Sequence, residues 1–281
     1  MPAGQIEDLI RSKLANCGRV VSDREIKAGI KNSIDFAWTP RGALRPAHPD
    51  APPQPDLQKI ERLVTTGLRV ADLWHSSPDW FVEPQTEAII DRLFPGNPLL
   101  CCGKSPAIFD TKPRKEWLGA LNQQSLLVPS PMIARSGLTN DGKESAHSLS
   151  NTGPRRFIVV EFDFSEFGRD GHTPTIYQPM LLRLKQHGIT VHDICSDLLL
   201  RLNRIVPMTL AVNSGGKSIH GWWFCAGHPE EKLKKFHDYA RTLGADPATW
   251  RTSQFVRMPD GTRDNGKPQP VLYFDPATIP P

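Results

Sequence analysis

The stretch Ser214-Gly-Gly-Lys-Ser-Ile-His-Gly-Trp-Trp223 places glycine, cationic, hydroxyl and imidazole groups between two apolar segments. These segments, residues 208–212 and 222–225, are rich in the β-branched and aromatic residues that strands favour. The pattern predicts two paired strands that are joined by a glycine turn. This hairpin is the feature around which we expect the rest of the chain to be organised.

The hairpin carries two polar side chains that point the same way. Side chains alternate between the two faces of a strand, so Ser218 and His220 are expected on one face, and Lys217 and Ile219 on the other. A Ser-x-His pair of this kind can donate hydrogen bonds to phosphate or sugar oxygens. The alternative is a plain Gly-Gly hairpin turn whose histidine serves only packing.

A P-loop is a second alternative, because Gly216-Lys217-Ser218 copies the end of that motif. The motif also needs a glycine five positions before its Gly-Lys pair and a helix after it, where backbone amides wrap a phosphate. Ala211 occupies that position, and the residues that follow indicate a strand. The sequence therefore argues against a P-loop.

Composition indicates an ordinary globular protein. The chain has 281 residues, of which 38% are hydrophobic and 23% charged, and its formal net charge is +4. This charge permits nucleic-acid binding without demonstrating it. The sequence shows no secretory signal or membrane span, and its five cysteines form no C-x-x-C pair. We expect a cytoplasmic protein with reduced thiols and no membrane partner.

Apolar spacing predicts helices and short strands in mixed order, which favours an α+β fold over a doubly wound one. The predicted helices span residues 5–15, 56–73, 86–93, 115–123, 175–187, 191–205 and 230–243. Besides the two strands of the hairpin, the predicted strands span residues 99–102, 125–128, 156–164, 254–258 and 271–274. Residues 39–55 are rich in proline and indicate a linker, and residues 137–153 indicate a polar loop.

Two acids interrupt the most apolar predicted strand. Glu161 and Asp163 are two residues apart, so both carboxylates project from one face. Paired carboxylates on an apolar strand repel each other unless a cation lies between them, and a hard divalent ion supplies that charge. The alternative is a half-exposed strand whose acids form ion pairs with Arg155 or Arg156.

A third acid would complete such a metal site. Asp246 follows a predicted helix and precedes the strand that carries Arg257, whereas Asp260 lies in a Pro-Asp-Gly sequence that is typical of turns. We favour Asp246 and keep Asp260 as the alternative. Arg257 and Arg263 would supply positive charge for a triphosphate or a template strand.

Together these motifs resemble those of the archaeo-eukaryotic primase superfamily. The chain has Glu161-Phe-Asp163, then Ser218-Ile-His220, then an acid ahead of Arg257-Met-Pro259, in the order of the three motifs of that superfamily. The likeness is greatest to bacterial, plasmid and phage primase or primase-polymerase domains, and it covers residues 97–275. Glu161 departs from the more usual aspartate, which preserves the charge on a longer side chain.

The resemblance implies a fold and a set of roles. The fold would be an RRM-like catalytic core of mostly antiparallel strands with packed helices, over residues 97–281, preceded by a mainly helical accessory region over residues 1–96. The resemblance implies that the metal ligands, which bind Mg²⁺ or Mn²⁺, are Glu161, Asp163 and Asp246. It implies nucleotide contacts from Ser218 and His220, to which we add Lys217 and Arg257.

The function expected from this resemblance is template-directed nucleotidyl transfer by a DNA primase or primase-polymerase. Its partners would be a single-stranded DNA template, nucleoside triphosphates and a separate replicative helicase. Two alternatives belong to other classes of function. One is a replication or defence module that binds nucleotide or single-stranded DNA without catalysis, and the other is a metal-dependent nuclease.

Overall fold

The computed structural model describes residues 52–79, 85–168 and 170–280, together with residues 11, 22–24, 26 and 27. The chain divides into two compact units, Met1–Ala51 and Pro52–Pro281, and the elements below belong to the second. Apart from residue 11, the helix predicted over residues 5–15 lies outside the described residues. Most of the predicted linker does so too, and its last residues, 52–55, have no regular structure.

The described part of the second unit contains short strands and helices in mixed order. The strands are β1 (Leu99–Ser105), β2 (Ile108–Pro113), β3 (Leu126–Leu127), β4 (Gly137–Leu138), β5 (Glu144–Ser145), β6 (Phe157–Phe162), β7 (Leu210–Asn213), β8 (Ile219–Phe224), β9 (Val256–Arg257) and β10 (Val271–Phe274). The helices are α1 (Leu57–Thr65), α2 (Val70–His75), α3 (Thr86–Leu93), α4 (Gln178–Gln186), α5 (Val191–Asn203) and α6 (Glu230–Thr242). The strands pair antiparallel. The α+β class predicted from the sequence is therefore confirmed.

A central sheet in the order β10-β7-β8-β6 is buried on both faces. On β6, Ile158 and Val160 contribute to one hydrophobic core, while Phe157 and Val159 contribute to the other. This double burial explains the nearly continuous apolar run of β6, because neither face of the strand meets water. The first core also contains apolar residues of α1, α2, α4, α5 and α6.

A second sheet, in the order β2-β1-β3-β9, contributes to the other core together with α3. Leu100, Leu127 and Val256 of this sheet share that core with Ile89 of α3 and Trp222 of the central sheet. The cleft between the two sheets is therefore apolar where their strands overlap. The polar residues of the hairpin lie at one end of this cleft, as described below.

The helix predicted to start at Asp56 begins there but ends early. The Asp56 carboxylate accepts a hydrogen bond from the Lys59 amide at 3.0 Å, as a helix N-cap should. The helix predicted to continue to residue 73 is instead two helices, α1 and α2, which are separated at Gly67. The fully buried carboxylate of Asp197 on α5 accepts a hydrogen bond from the Leu68 amide at 2.9 Å in this break. The tertiary contact thus outweighs local helix propensity.

Other local predictions have mixed outcomes. The helix predicted over residues 86–93 is confirmed as α3, and those over 191–205 and 230–243 are confirmed as α5 and α6 with slightly shorter bounds. The helix predicted over residues 115–123 is wrong: two short 3₁₀ turns replace it, because Gly119 has a positive φ of 77° that interrupts a helix. Strand β2 was not predicted, and the polar loop contains the β4–β5 hairpin.

Both tryptophans of β8 are buried in the hydrophobic cores. Trp222 and Trp223 are both almost completely buried, one in each core, so neither offers an exposed ring for stacking on a base. His237 of α6 is also buried, and burial lowers its pKa to about 4. Among the residues that the structure describes, no helix is both long and apolar enough to cross a bilayer.

The α1–α2 break gives a test of the fold. A Cβ on Gly67 would lie 2.5 Å from the Asp197 carboxyl carbon, and this carboxylate cannot move freely because Arg201 Nε also binds it at 2.7 Å. Gly67→Ala should therefore lower the free energy of unfolding by about 1–3 kcal/mol, measured by urea denaturation. As a control, Gly168→Ala, whose nearest contact would be 3.5 Å, should change it by less than about 0.5 kcal/mol. Equal changes for the two variants would contradict this account.

Candidate functional site

The polar site lies on the face of the central sheet that meets the second sheet. Antiparallel pairing of β6 with β8 sets Phe157 opposite Phe224, Val159 opposite Trp222, and Glu161 opposite His220. Directly opposite residues point to the same face, so the first two pairs continue the apolar cleft. The third pair replaces apolar side chains by a carboxylate and an imidazole at the end of that cleft.

Glu161 is the centre of this site. Ser218 Oγ donates a hydrogen bond to Glu161 Oε1 at 2.8 Å, and His220 Nε2 lies 3.2 Å from the same oxygen. The His220 side chain is only 3% exposed. Nε2 therefore faces the Glu161 carboxylate, while Nδ1 is buried without a hydrogen-bond partner among the described residues. The site therefore holds a buried imidazole with unused hydrogen-bonding capacity.

The charge of Glu161 is strongly favoured. Burial by itself would raise the pKa of this carboxyl group, but His220, Ser218 and Arg257 together outweigh burial and bring the pKa down to about 2. Glu161 is thus an anion at neutral pH although its side chain is only 22% exposed. A partly buried carboxylate that stays ionised is suited to binding a cation.

Asp163 has a different environment just beyond the end of β6. Its side chain is 44% exposed, and Lys217 Nζ lies 3.7 Å from its Oδ1. Burial raises the pKa of Asp163, Lys217 opposes this increase, and the charges of Glu161 and Asp246 add to it. The three acids therefore lie within electrostatic reach of one another.

Asp246 is attached to β6 through its backbone. Its amide donates to the Glu161 carbonyl at 2.9 Å, next to a bridge between Ala245 and Phe162. Its carboxylate, however, accepts a hydrogen bond from the Ala248 amide at 2.8 Å and caps a 3₁₀ turn. Asp246 is close to the other two acids, but its side chain is engaged in local structure.

Asp260, the alternative third acid, has a structural role. Its Oδ1 accepts from the Val271 amide at 2.8 Å and its Oδ2 from the Gln85 amide at 3.1 Å, while its carbonyl accepts from Thr86 Oγ1 at 2.9 Å. These bonds connect the residues before β10 with the start of α3. Asp260 also has a positive φ of 50°, which aspartate tolerates better than most residues. Its carboxylate is therefore already satisfied by two backbone amides.

Two arginines supply positive charge. Arg257 Nη1 donates to Ser125 Oγ at 3.2 Å; burial and the nearby charge of Arg263 lower the pKa of Arg257, while Glu161 and Asp163 raise it. Arg263 Nη1 donates to the Ser214 carbonyl at 3.3 Å, and its Nε is buried without a hydrogen-bond partner among the described residues. The Arg257 guanidinium thus lies near the acids, and the Arg263 guanidinium lies at the glycine turn.

The glycine turn needs its two glycines. Gly215 has a positive φ of 69°, and a Cβ there would lie 2.7 Å from the Pro268 carbonyl oxygen. A Cβ on Gly216 would lie 2.9 Å from Arg263 Nη1. Strand β8 begins at Ile219 directly after this turn, so no helix N-terminus follows, which excludes a P-loop. Lys217 lies in the turn itself, so the predicted alternation of faces does not extend back to it.

The alternative partners of the acids are engaged elsewhere. Arg155 pairs with Glu230 at 2.9 Å, and Arg156 lies over the rings of Phe157 and Phe224. The acids of β6 are therefore not explained by ion pairs with these arginines.

Tyr177 is a neighbour of the acids that sequence reasoning missed. Burial raises its pKa, with smaller contributions from Asp246 and Asp163, and no sequence signal connects it to these acids.

The donor set fits a hard divalent ion in its chemistry. Glu161 and Asp163 provide carboxylate oxygens, which Mg²⁺ and Mn²⁺ prefer. Within the part of the chain that the structure describes, no group of three or more His, Cys, Asp or Glu residues could hold a metal ion as placed. This agrees with the engagement of Asp246 at Ala248. A Mg²⁺ site built on one or two carboxylates and completed by substrate phosphates needs no preformed third ligand.

Comparisons with known proteins add little to this geometry. No family model matches the chain, and no curated protein matches it. Among solved structures, the chain is similar to the AEP domain of the primase-polymerase (PrimPol) of cyanophage S-2L, with 14% identity and a TM-score of 0.38. The match covers 69% of this chain and 93% of that one. A likeness of this size carries no argument about function.

The two candidate third acids should differ in their effect on stability. Asp260→Asn leaves one acceptor oxygen for two backbone amides, so the free energy of unfolding should fall by about 1–3 kcal/mol. Asp246→Asn keeps an oxygen for the Ala248 amide and should change it by less than about 0.5 kcal/mol. Urea denaturation of both variants measures this. An Asp246 variant that is less stable than the Asp260 variant would contradict the assignment.

Proposed function

We propose that this protein is a DNA primase or primase-polymerase, which joins nucleotides along a single-stranded DNA template in a metal-dependent reaction. The observation that carries the proposal is the cluster in which Glu161 meets Ser218 and His220, whose buried Nδ1 has no hydrogen-bond partner among the described residues, beside Asp163. A buried polar group without a partner costs free energy, so a ligand that uses it is the simplest reason for its presence. The ionised acids can bind a cation, and the adjacent imidazole and hydroxyl can donate hydrogen bonds to a phosphate, so the cluster suits a ligand that carries both.

The acids would form the metal-binding side of the site. Glu161 and Asp163 would hold Mg²⁺ or Mn²⁺, and Asp246 would join them after its carboxylate leaves the Ala248 amide. The chemistry that such ions supply when bound is a lower pKa for the attacking 3′-hydroxyl and neutralisation of the leaving pyrophosphate. The low pKa of Glu161 keeps this ligand ionised at neutral pH.

The hairpin would form the nucleotide side. His220 would donate a hydrogen bond from Nδ1 to a phosphate oxygen, because this nitrogen has no hydrogen-bond partner among the described residues. Ser218 would orient Glu161 through their hydrogen bond and contact the nucleotide as well. Lys217 and Arg257 would add positive charge for the triphosphate. Positioning of the substrates and charge neutralisation by these groups would supply most of the rate enhancement.

The expected partners follow from the reaction. The template would be single-stranded DNA, the substrates would be nucleoside triphosphates, and a separate replicative helicase would expose the template. The formal charge of +4 and the arginines near the acids are compatible with a polyanionic partner. We propose no membrane partner.

Two other functions are less well supported by the same geometry. A binding-only module gains little from carboxylates that face a polyanion, because like charges repel. A metal-dependent nuclease would use the acids but has no need of a triphosphate site at Ser218 and His220. Incubating the purified protein with single-stranded DNA, labelled nucleoside triphosphates and Mn²⁺ separates the three. Elongated strands support the proposal, whereas shortened or unchanged strands favour the alternatives.

Replacing Asp163 should remove activity without unfolding the protein. Asp163→Ala deletes a proposed metal ligand, and the rate of nucleotide incorporation should fall by about a hundredfold or more. Stability should change by less than about 0.5 kcal/mol, because the side chain is 44% exposed and its neighbours Glu161 and Asp246 repel it. Primer-extension rates and urea denaturation measure the two effects.

A matched variant tests whether this effect is specific to the site. Asp141→Ala removes an exposed acid on the loop between β4 and β5, and it should retain the activity of the unmodified protein. If Asp163→Ala kept full activity per folded molecule, or if Asp141→Ala lost as much, the metal site would not be where we propose it.

Replacing His220 should weaken nucleotide binding. A hydrogen bond to a charged phosphate is worth about 1.5–3 kcal/mol, so His220→Ala should raise the dissociation constant of a nucleoside triphosphate by roughly ten- to a hundredfold. The sequence alone suggests a groove residue whose loss leaves stability unchanged. That expectation is corrected here, since the imidazole is buried beside Glu161 and its loss should cost about 1–2 kcal/mol of stability.

The binding measurement must therefore be made where the variant is folded. Calorimetric titration at a temperature below its unfolding transition, checked by circular dichroism, separates affinity from stability. His187→Ala, which removes an exposed histidine after α4, should leave both quantities unchanged. Unchanged triphosphate affinity in folded His220→Ala would show that the histidine serves packing alone.

A further inference from the structure

Lys217 makes a weak ion pair with an acid of the proposed metal site. Its Nζ lies 3.7 Å from Asp163 Oδ1, and the two side chains are 53% and 44% exposed. Ion pairs between groups as exposed as these contribute little to stability, so a competing cation can replace the ammonium easily. The pair thus joins a proposed nucleotide-binding lysine to a proposed metal ligand.

The charges around Asp163 favour a cation at this position. Glu161 lies two residues before Asp163, and the Asp246 amide donates to the Glu161 carbonyl at 2.9 Å, so three acids lie close together. Glu161 has His220 and Ser218 as its own compensating neighbours. Lys217 therefore supplies positive charge to the more exposed end of the acidic cluster.

The backbone that carries Lys217 is held in place while its side chain is free to reorient. The Ser214 amide donates to the Ser218 carbonyl at 3.0 Å, and the Ser218 amide donates to Ser214 Oγ at 3.3 Å. Arg263 also binds the Ser214 carbonyl. The four-carbon stem of the half-exposed lysine can therefore move its ammonium group without rearrangement of the turn.

We infer that Lys217 exchanges partners during substrate binding: its ammonium neutralises Asp163 until a divalent cation binds there, and it then moves to the phosphates of the nucleotide. The inference rests on the proposed function, because it needs both a metal and a triphosphate at this site. It predicts that Lys217 competes with the metal when no nucleotide is present. It also predicts that bound metal strengthens nucleotide binding, since the displaced ammonium becomes available to the triphosphate.

Metal binding without nucleotide tests the first prediction, that Lys217 competes with the metal. The full chain is titrated with Mn²⁺ alone, and free Mn²⁺ is measured by electron paramagnetic resonance. Lys217→Gln should bind Mn²⁺ about two- to fivefold more tightly than the unmodified protein, in line with the small strength of an exposed ion pair. The control Lys267→Gln removes the same charge from the neighbouring turn, where no ion pair with Asp163 is described, and should leave Mn²⁺ affinity unchanged.

Nucleotide binding tests the second prediction, that bound metal strengthens the binding of nucleotide. The affinity for a non-hydrolysable nucleoside triphosphate is measured with and without saturating Ca²⁺, which binds carboxylates but supports catalysis poorly. In the unmodified protein the cation should strengthen nucleotide binding, and in Lys217→Gln this strengthening should shrink by about two- to fivefold. Tighter Mn²⁺ binding with an undiminished cation effect on the nucleotide would overturn the exchange.

The design separates failure of this inference from failure of the proposed function. Asp163→Asn should abolish or strongly weaken Mn²⁺ binding. If the unmodified protein binds no Mn²⁺, or Asp163→Asn binds it equally well, the proposed metal site is wrong and the exchange is wrong with it. If binding depends on Asp163 but Lys217→Gln binds Mn²⁺ with equal or lower affinity, the metal site stands and the exchange alone is overturned.

Discussion

The pairing register of β6 with β8 is the constraint on which the rest of the site depends. It sets Glu161 opposite His220 and leaves Ser218 close enough to bind the same carboxylate. A shift of one residue would turn each side chain to the opposite face, so the carboxylate would enter the first hydrophobic core. The buried partners on both faces, such as Val160 and Trp222, prevent that shift. Packing of the cores therefore also fixes the geometry of the site.

The two acids of β6 have opposite electrostatic environments. Glu161 is partly buried and held ionised by its neighbours, whereas the charged form of Asp163 is disfavoured by burial and by the adjacent acids. A cation that reaches Asp163 would relieve this repulsion, while Glu161 needs no such relief. Under the proposed function, Glu161 would be the fixed ligand, and Asp163, with Lys217, would be the part of the site that responds to ligands.

The site combines elements that are far apart in the chain. The Asp246 amide binds the carbonyl of Glu161, and the chain then continues to Arg257 on β9 of the second sheet. One connection therefore carries an acid to the edge of the central sheet and an arginine to the opposite side of the cleft. The loop that holds Arg263 packs against the glycine turn. The acids of the central sheet and Arg257 of the second sheet come close together only because both sheets are assembled.

Local patterns in the sequence predict the α+β class, the hairpin around Gly215 and the common side of Ser218 and His220, because alternation along a strand and turn chemistry are local properties. The meeting of these two residues with Glu161, the burial of each group and its contacts depend on the folded structure. The break at Gly67 depends on a carboxylate from a distant helix, and the role of Asp260 depends on amides brought from two other elements. Such contacts leave no local signal, since burial and long-range hydrogen bonds exist only once the chain has folded.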